Sequence, residues 1–367
     1  MKIPYFKIKL KEEEKAYLLD VLEKGQLSFG KECLKFEKNI AELTKSKAVF
    51  VSSATTGLHL VYKALEIGKY DEVLVPSFTF TATVEPLIHL GATPVFVDVI
   101  SEKYPVIDLK DAEKKLSKKT RALVFMYYAG FIVDMKEYIE FCKENKIYLI
   151  EDAAHAFPAE RENRYAGTFG IAGVYSFYGN KNLHLGEGGM VLTNDERLYE
   201  RIKLLRNHGI KDLSVEKKDL VSNYDINFPG FNFRPTELQG ALGNILLKRL
   251  KEMQEKRKRI YFKIREEIEG KFTFPYDENE PSSYHINPIF TGDEKERKEL
   301  LRYLREKEIQ CSYHYPPVHL FSYIKERYGR IYLDVTEDLS KREVTLPLYP
   351  CLEDEEVDYI IEMLKKF

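Results

Sequence analysis

The sequence predicts an α/β fold: a mainly parallel sheet with flanking helices, followed by a smaller C-terminal α+β domain. Three observations predict it. From residue 47 to 194, short β-branched or aromatic runs alternate with longer amphipathic stretches, the rhythm of βαβ units. Past residue 195 the pattern changes to long charged helices. The chain has 367 residues, enough for about two domains and a large core. Strands are expected at 49–52, 72–76, 94–99, 122–127, 147–151, 174–178 and 190–193. Between them, helices at 56–64, 81–90, 109–116 and 135–144 carry apolar residues at helical spacing and cover the sheet. Helices follow at 196–207 and 235–269, the second crossing the basic stretch 251–259. There Lys, Arg and Glu are mixed, as on a solvated face. A strand at 284–290, a helix at 294–307, a Pro-containing loop at 315–318 and a final helix at 355–365 complete the chain. The domain boundary is placed inside the long helix near Arg249, giving a large domain over 1–248 and a small one over 249–367.

Composition narrows the function. Lys+Arg 57 against Asp+Glu 59 leaves a net charge of −2 with both signs interspersed. Such a surface offers no positive field for a nucleic-acid backbone. The longest apolar runs are strand-length, far short of the roughly 20 residues that span a bilayer, and residues 1–10 show no export signal. A cytoplasmic protein without nucleic-acid or membrane partners is expected. Cys33, Cys142, Cys311 and Cys351 lie far apart with no paired spacing, so neither a disulfide framework nor a metal site is expected.

Three strand ends carry chemistry. After the strand ending near Tyr178, Lys181 precedes the glycine-rich run 186–189. A lysine at the carboxyl end of a strand is placed to form a Schiff base with a carbonyl compound, although an arbitrary lysine is more often a surface residue. The apolar strand at 147–151 runs into Asp152 and, after small residues, His155, in IEDAAHAF from Ile150. A carboxylate there either caps the next helix or meets a cation such as a protonated pyridine nitrogen. Finally, the strand at 49–52 is followed by Ser53, Ala54, Thr55, Thr56 and Gly57, which open a helix. That segment reads as plain capping or as an anion cradle.

Six segments, in order, resemble the DegT/DnrJ/StrS sugar aminotransferases, which are fold-type I pyridoxal phosphate enzymes with an aspartate aminotransferase-like fold. They are FEKNIAELTKSKAVFVSSATTGLHL from Phe36, EVLVPSFTFTATVEPLIHLGATPVFVDV from Glu72, IEDAAHA from Ile150, YSFYGNKNLHLGEGGMVLTND from Tyr175, PGFNFRPTELQGALGNILLKRL from Pro229 and HYPPVHL from His314. The resemblance implies that Lys181 carries pyridoxal 5'-phosphate as a Schiff base. It further implies that Asp152 partners the pyridinium and that His155 lies near the cofactor's phenolic oxygen. Thr55, Thr56 and Ser176 would hold the phosphate, and Phe80 would stack on the ring. Asn232 would reach the phosphate of the neighbouring subunit's cofactor, so a homodimer with shared active sites is implied. Tyr315 and His319, in the last segment, are the candidate substrate contacts.

The implied reaction moves an amino group, with glutamate as donor, to a nucleotide-linked keto sugar in amino-sugar and surface-polysaccharide biosynthesis. Three positions depart from the commoner pattern and bear on the substrate. Ala54 stands where many relatives have Gly and His155 where many have Gln, a combination that resembles members aminating C4. Tyr127 stands where relatives often place a His. The alternatives are amination at C3 and a cofactor-binding regulator without turnover, which the joint presence of Lys181 and Asp152 argues against. Sugar 3-dehydration on the same fold is also disfavoured, because in those relatives a His replaces the lysine.

Overall fold

A computed structural model describes residues 1–210 and 225–367. Two helices, α1 (Glu12–Glu23) and α2 (Lys31–Thr44), precede the sheet. Neither is among the elements expected from the sequence, although Cys33, Phe36 and Ile40 bury one face of α2 at helical spacing. The central sheet takes β1 (Lys47–Val51), β2 (Glu72–Pro76), β3 (Thr93–Val97), β4 (Thr120–Met126), β5 (Tyr148–Asp152), β8 (Ala172–Ser176) and β9 (Gly189–Thr193). A small hairpin, β6 (Glu160–Arg161) with β7 (Arg164–Tyr165), interrupts the series. The strand order is β1-β9-β8-β5-β4-β2-β3, and β9 alone runs against the rest. The mainly parallel sheet expected from the strand rhythm is present.

Side chains alternate between the two faces of each strand, and both faces are buried. Val49, Val51, Val124, Ile150, Val174 and Val191 enter the cluster beneath α3 (Ala54–Ala64). Their neighbours Phe50, Leu123, Phe125, Leu149, Tyr175 and Leu192 enter a second cluster on the opposite face. That second cluster also takes in Ile289, Phe290 and Val344 of the C-terminal strands β10 (Asn287–Phe290) and β11 (Glu343–Leu346), so one apolar core is continuous past residue 249.

Further helices are α4 (Glu85–His89), α5 (Leu109–Lys115), α6 (Lys136–Glu144) and α7 (Glu196–Arg206). The helix expected over 81–90 is a 3-10 turn at Thr81–Thr83 followed by α4. The single helix expected over 235–269 is two, α8 (Glu237–Leu247) and α9 (Leu250–Ile268). No Gly or Pro marks the break. Arg249 leaves helical geometry there, and its guanidinium meets the buried Glu14 of α1 at 2.9 Å. The C-terminal region then adds α10 (Glu294–Glu306), α11 (Ser322–Tyr328), α12 (Asp334–Arg342) and α13 (Asp354–Lys366) around the antiparallel pair β10–β11. Among the described residues no helix is long and apolar enough to cross a membrane.

Candidate active site

The carboxyl ends of the sheet strands open into one cavity of about 420 Å³, the place where open α/β sheets bind ligands. Strand alternation decides what β5 offers it. Glu151 points away from the cavity, where it accepts hydrogen bonds from the Tyr127 hydroxyl and from the Gly167 N–H at 2.7 Å and the Gly170 N–H at 2.5 Å. Its acceptors are taken up in holding that turn. Asp152, one residue on, lines the cavity and, among the described residues, accepts from Thr83 Oγ1 at 2.6 Å and the Ala154 N–H at 3.1 Å. Burial raises its carboxyl above the ordinary range, against the pull of those two donors and of Lys181.

Lys181 sits in the loop joining β8 to β9. The loop is closed by bonds from the Phe177 N–H to the Gly188 carbonyl at 2.9 Å and from the Leu185 N–H to the Phe177 carbonyl at 2.8 Å. The Lys181 side chain is half-buried on the cavity wall. Burial pulls its pKa down to about 7, with Asp152 acting in the opposite direction, so amine and ammonium coexist at neutral pH.

The third strand end, after β1, presents the start of α3. Ser53 Oγ caps the helix by accepting from the Thr56 N–H at 3.2 Å, and the Thr56 hydroxyl donates back to the Ser53 carbonyl at 2.8 Å. Ser53, Ala54 and Thr55 line the cavity, where the N-terminal end of the helix dipole favours an anion. β9 passes directly beside this turn. A Cβ at Gly189 would lie 2.5 Å from the Ser53 carbonyl carbon and 2.6 Å from the Ala54 nitrogen, so the approach requires glycine.

The C-terminal region supplies the opposite wall. Residues 283–285 lie along the loop after β4, with the Ser283 N–H donating to Gly130 O at 3.0 Å. Gly130 has φ +91°, and a Cβ there would collide with Ser283 Oγ at 2.0 Å. This docking brings His285 Nε2 to 3.2 Å from Lys181 Nζ. Tyr315 and His314 complete the wall, the Tyr315 hydroxyl lying 2.6 Å from His155 Nε2. His155 Nδ1 is buried without a partner among the described residues. Burial lowers His155 and His285 well below the usual histidine value, and His314 to about 3, so all three are neutral at physiological pH. Phe80, 58 % exposed, lies at the rim with its ring centroid 6.0 Å from that of Tyr315.

The model of the DegT/DnrJ/EryC1/StrS aminotransferase family matches residues 8–365. The chain belongs to this family. It is 33% identical over 368 residues to the GDP-perosamine synthase of Escherichia coli, covering 100% of this chain and 98% of that one. Among solved structures, Helicobacter pylori PseC, an aminotransferase involved in pseudaminic acid biosynthesis, superposes with a TM-score of 0.93 at 30% identity. The match covers 100% of this chain and 99% of PseC. Spr1654 from Streptococcus pneumoniae in its PMP form superposes with a TM-score of 0.94 at 26% identity, covering 100% and 98%. The protein is therefore a pyridoxal phosphate-dependent sugar aminotransferase of fold type I.

The cavity of this aminotransferase fits that cofactor on its own terms. It combines a helix N-terminus, a buried carboxylate whose hydrogen-bond partners are both neutral, an unpartnered imidazole nitrogen, an exposed aromatic ring and an amine of lowered pKa.

Lys181, Asp152, His155, Thr55, Ser176, Phe80 and Tyr315, all singled out from the sequence, meet in this cavity. Three others do not. Thr56 spends its hydroxyl on the capping box. Asn232 is exposed, between the stacked rings of Phe231 and Phe233 that pack on His59 of α3, outside its own chain's cavity. His319, expected to contact substrate, is instead fully buried, with Nδ1 2.6 Å from Ser77 Oγ and Nε2 3.2 Å from Glu337 Oε1. It ties the loop after β2 to α12. Tyr127, just past β4, donates its hydroxyl to the buried Glu151 and does not line the cavity, whereas Met126 does. Residues 211–224, most of the long loop expected before Asn232, lie outside the described residues. Sequence reasoning missed Thr83 and His285. Nothing local to either residue announces that it will meet a strand-end carboxylate or a lysine about a hundred positions away.

Proposed function

We propose that this aminotransferase transfers an amino group from glutamate to C4 of a nucleotide-linked keto sugar, working as a homodimer with shared active sites. The observation that carries the reading is the convergence of Lys181 and Asp152 on one cavity headed by the N-terminus of α3. The nucleotide is supported by the likeness to a GDP-perosamine synthase, and C4 by the pairing of Ala54 with His155.

Pyridoxal phosphate, when bound, supplies a carbonyl that takes up the amino group and a ring that spreads the resulting negative charge. The chain's residues do the rest. Thr55 and Ser176, with Ser53 beside them, would hold the phosphate at the α3 N-terminus. Asp152, desolvated and held by Thr83 and Ala154, keeps a proton on the ring nitrogen. His155, oriented by the Tyr315 hydroxyl, would offer its Nδ1 to the cofactor's phenolic oxygen. Phe80 would cover one ring face. Lys181, with a pKa of about 7, accepts a proton at Nζ and returns it at neutral pH. Asn232, exposed on the outside of α3, reaches the partner subunit's site.

Borohydride reduction of the native protein and peptide mapping should place the cofactor on Lys181; a label on another lysine defeats the assignment. Incubation with glutamate and a panel of nucleotide 4-keto and 3-keto sugars, read by mass spectrometry, should give 2-oxoglutarate and a 4-amino sugar. A 3-amino product overturns the C4 assignment. Shared sites are tested by mixing inactive Lys181→Ala and Asn232→Asp subunits. The mixed dimer carries both defects in one site and wild-type residues in the other, so activity returns. Exchange without recovery excludes the shared site.

A further inference from the structure

We infer that His285 is a positioning residue for Lys181: its neutral imidazole, fixed as the Nδ1–H tautomer by Asn182, accepts a hydrogen bond from Lys181 Nζ and aims the amine into the cavity. The inference rests on the reading of Lys181 as the cofactor-bearing lysine.

The donor and acceptor roles follow in three steps. The Asn182 amide nitrogen donates to the Ser283 carbonyl at 2.6 Å, and only a nitrogen can do so, which settles the orientation of that amide. Its oxygen Oδ1 is thereby turned to His285 Nδ1 at 3.3 Å. An amide oxygen only accepts, so Nδ1 carries the proton and Nε2 is left with a lone pair. Lys181 Nζ, 3.2 Å from that lone pair, is the donor in either of its protonation states.

The surroundings keep His285 neutral. It is buried, and the charges facing it are cationic. Lys181 approaches from the β8–β9 loop, and Arg257 of α9 donates to the His285 carbonyl at 3.2 Å. His155, whose ring centroid is 4.4 Å away, and His314 stand beside it and are themselves held neutral. A second positive charge there would meet Lys181 and Arg257 without a carboxylate of its own. The docking of residues 283–285 on the loop after β4 thus places an acceptor beside the lysine, and Asn182, the residue following Lys181, makes it one.

An acceptor binds an ammonium more strongly than an amine, so removing it lowers the lysine's pKa, whereas removing a charged histidine would raise it. The test is the pH dependence of reductive methylation of Lys181 by formaldehyde and cyanoborohydride in the full-length protein stripped of cofactor, followed by peptide mass spectrometry. The wild-type midpoint is expected near the value of about 7. His285→Leu should move it down by about one pH unit, a tenfold change in the protonation equilibrium. His285→Gln, which keeps an acceptor, should restore most of the shift. Asn182→Leu, which frees the tautomer without touching Nζ, should move the midpoint in the same direction as His285→Leu. Thermal melts of each variant confirm that a folded protein is being labelled. An unchanged midpoint in a folded His285→Leu protein, an upward shift, or equal shifts in the Leu and Gln variants each overturns the inference. Failure of the underlying reading shows separately, as borohydride labelling of a lysine other than Lys181 in the untreated protein.

Discussion

The two walls of the cavity are built differently. The strand-end wall carries the groups to which we assign the chemistry: Asp152 with its raised carboxyl, Lys181 with its lowered ammonium, and the N-terminus of α3. The C-terminal side, His314 and Tyr315 with His285 behind Lys181, has neutral histidines, and its side chains bond to Lys181, to His155 and, for His314, to Thr345 of β11. Charge is thus concentrated on the rigid sheet edge, while the later segments orient that charge and exclude water from it. Substitutions on the first wall should change the chemical step, and those on the second should change orientation and stability.

The largest expected effect is at Asp152. Asp152→Asn should lower turnover by about a hundredfold or more, because a neutral amide cannot stabilise a protonated ring nitrogen. The same change should stabilise the cofactor-free fold. The carboxyl's pKa is raised in the folded state, so above the ordinary carboxylate range its ionisation costs stability that the unfolded chain does not lose. Cofactor-free Asp152→Asn should therefore melt higher than wild type at pH 8, with the gap closing as the pH falls toward the unfolded carboxylate value. A lower melting temperature at pH 8 would place the strain elsewhere.

Tyr315→Phe breaks the second wall instead. It leaves His155 Nε2 without its partner in a buried place, at a cost of about 1–3 kcal/mol. Denaturant titration should show that loss while the rate of proton transfer falls less than in Asp152→Asn. A drop in turnover as large as that of Asp152→Asn would make Tyr315 part of the chemistry and erase the contrast between the walls.

The smallest effect on turnover is expected at His319, behind the wall. His319→Ala removes a buried ring bonded to Ser77 and Glu337, so the melting temperature should fall while kcat per folded molecule stays within about twofold of wild type. A selective rise in KM for the sugar would return His319 to the substrate contacts.

The strand-end wall was legible in the sequence because each of its groups follows a strand by a few residues. Strand-end position marked Asp152 and Lys181 as candidates and the Ser and Thr after β1 as a helix start, while the surface-lysine and helix-cap alternatives were set aside only by the family resemblance. Helix α2 was not expected from the sequence, although Cys33, Phe36 and Ile40 stand at helical spacing. The other wall had no such signature. His285 and Thr83 acquire their roles from partners at Lys181 and Asp152, across long stretches of intervening chain.

Local pattern and residue chemistry by themselves determined the parallel sheet, its strands, and the carboxylate, amine and capped helix at its carboxyl edge, because side-chain periodicity and strand-end position are properties of neighbouring residues. Tertiary structure alone decided the rest. It broke the helix expected over 235–269 at Arg249 to meet the buried Glu14. It sent His319 to Ser77 and Glu337 rather than to the cavity, and set His285 against Lys181. Each of these outcomes places a buried polar group against a partner distant in sequence, and burying such a group unpaired is costly.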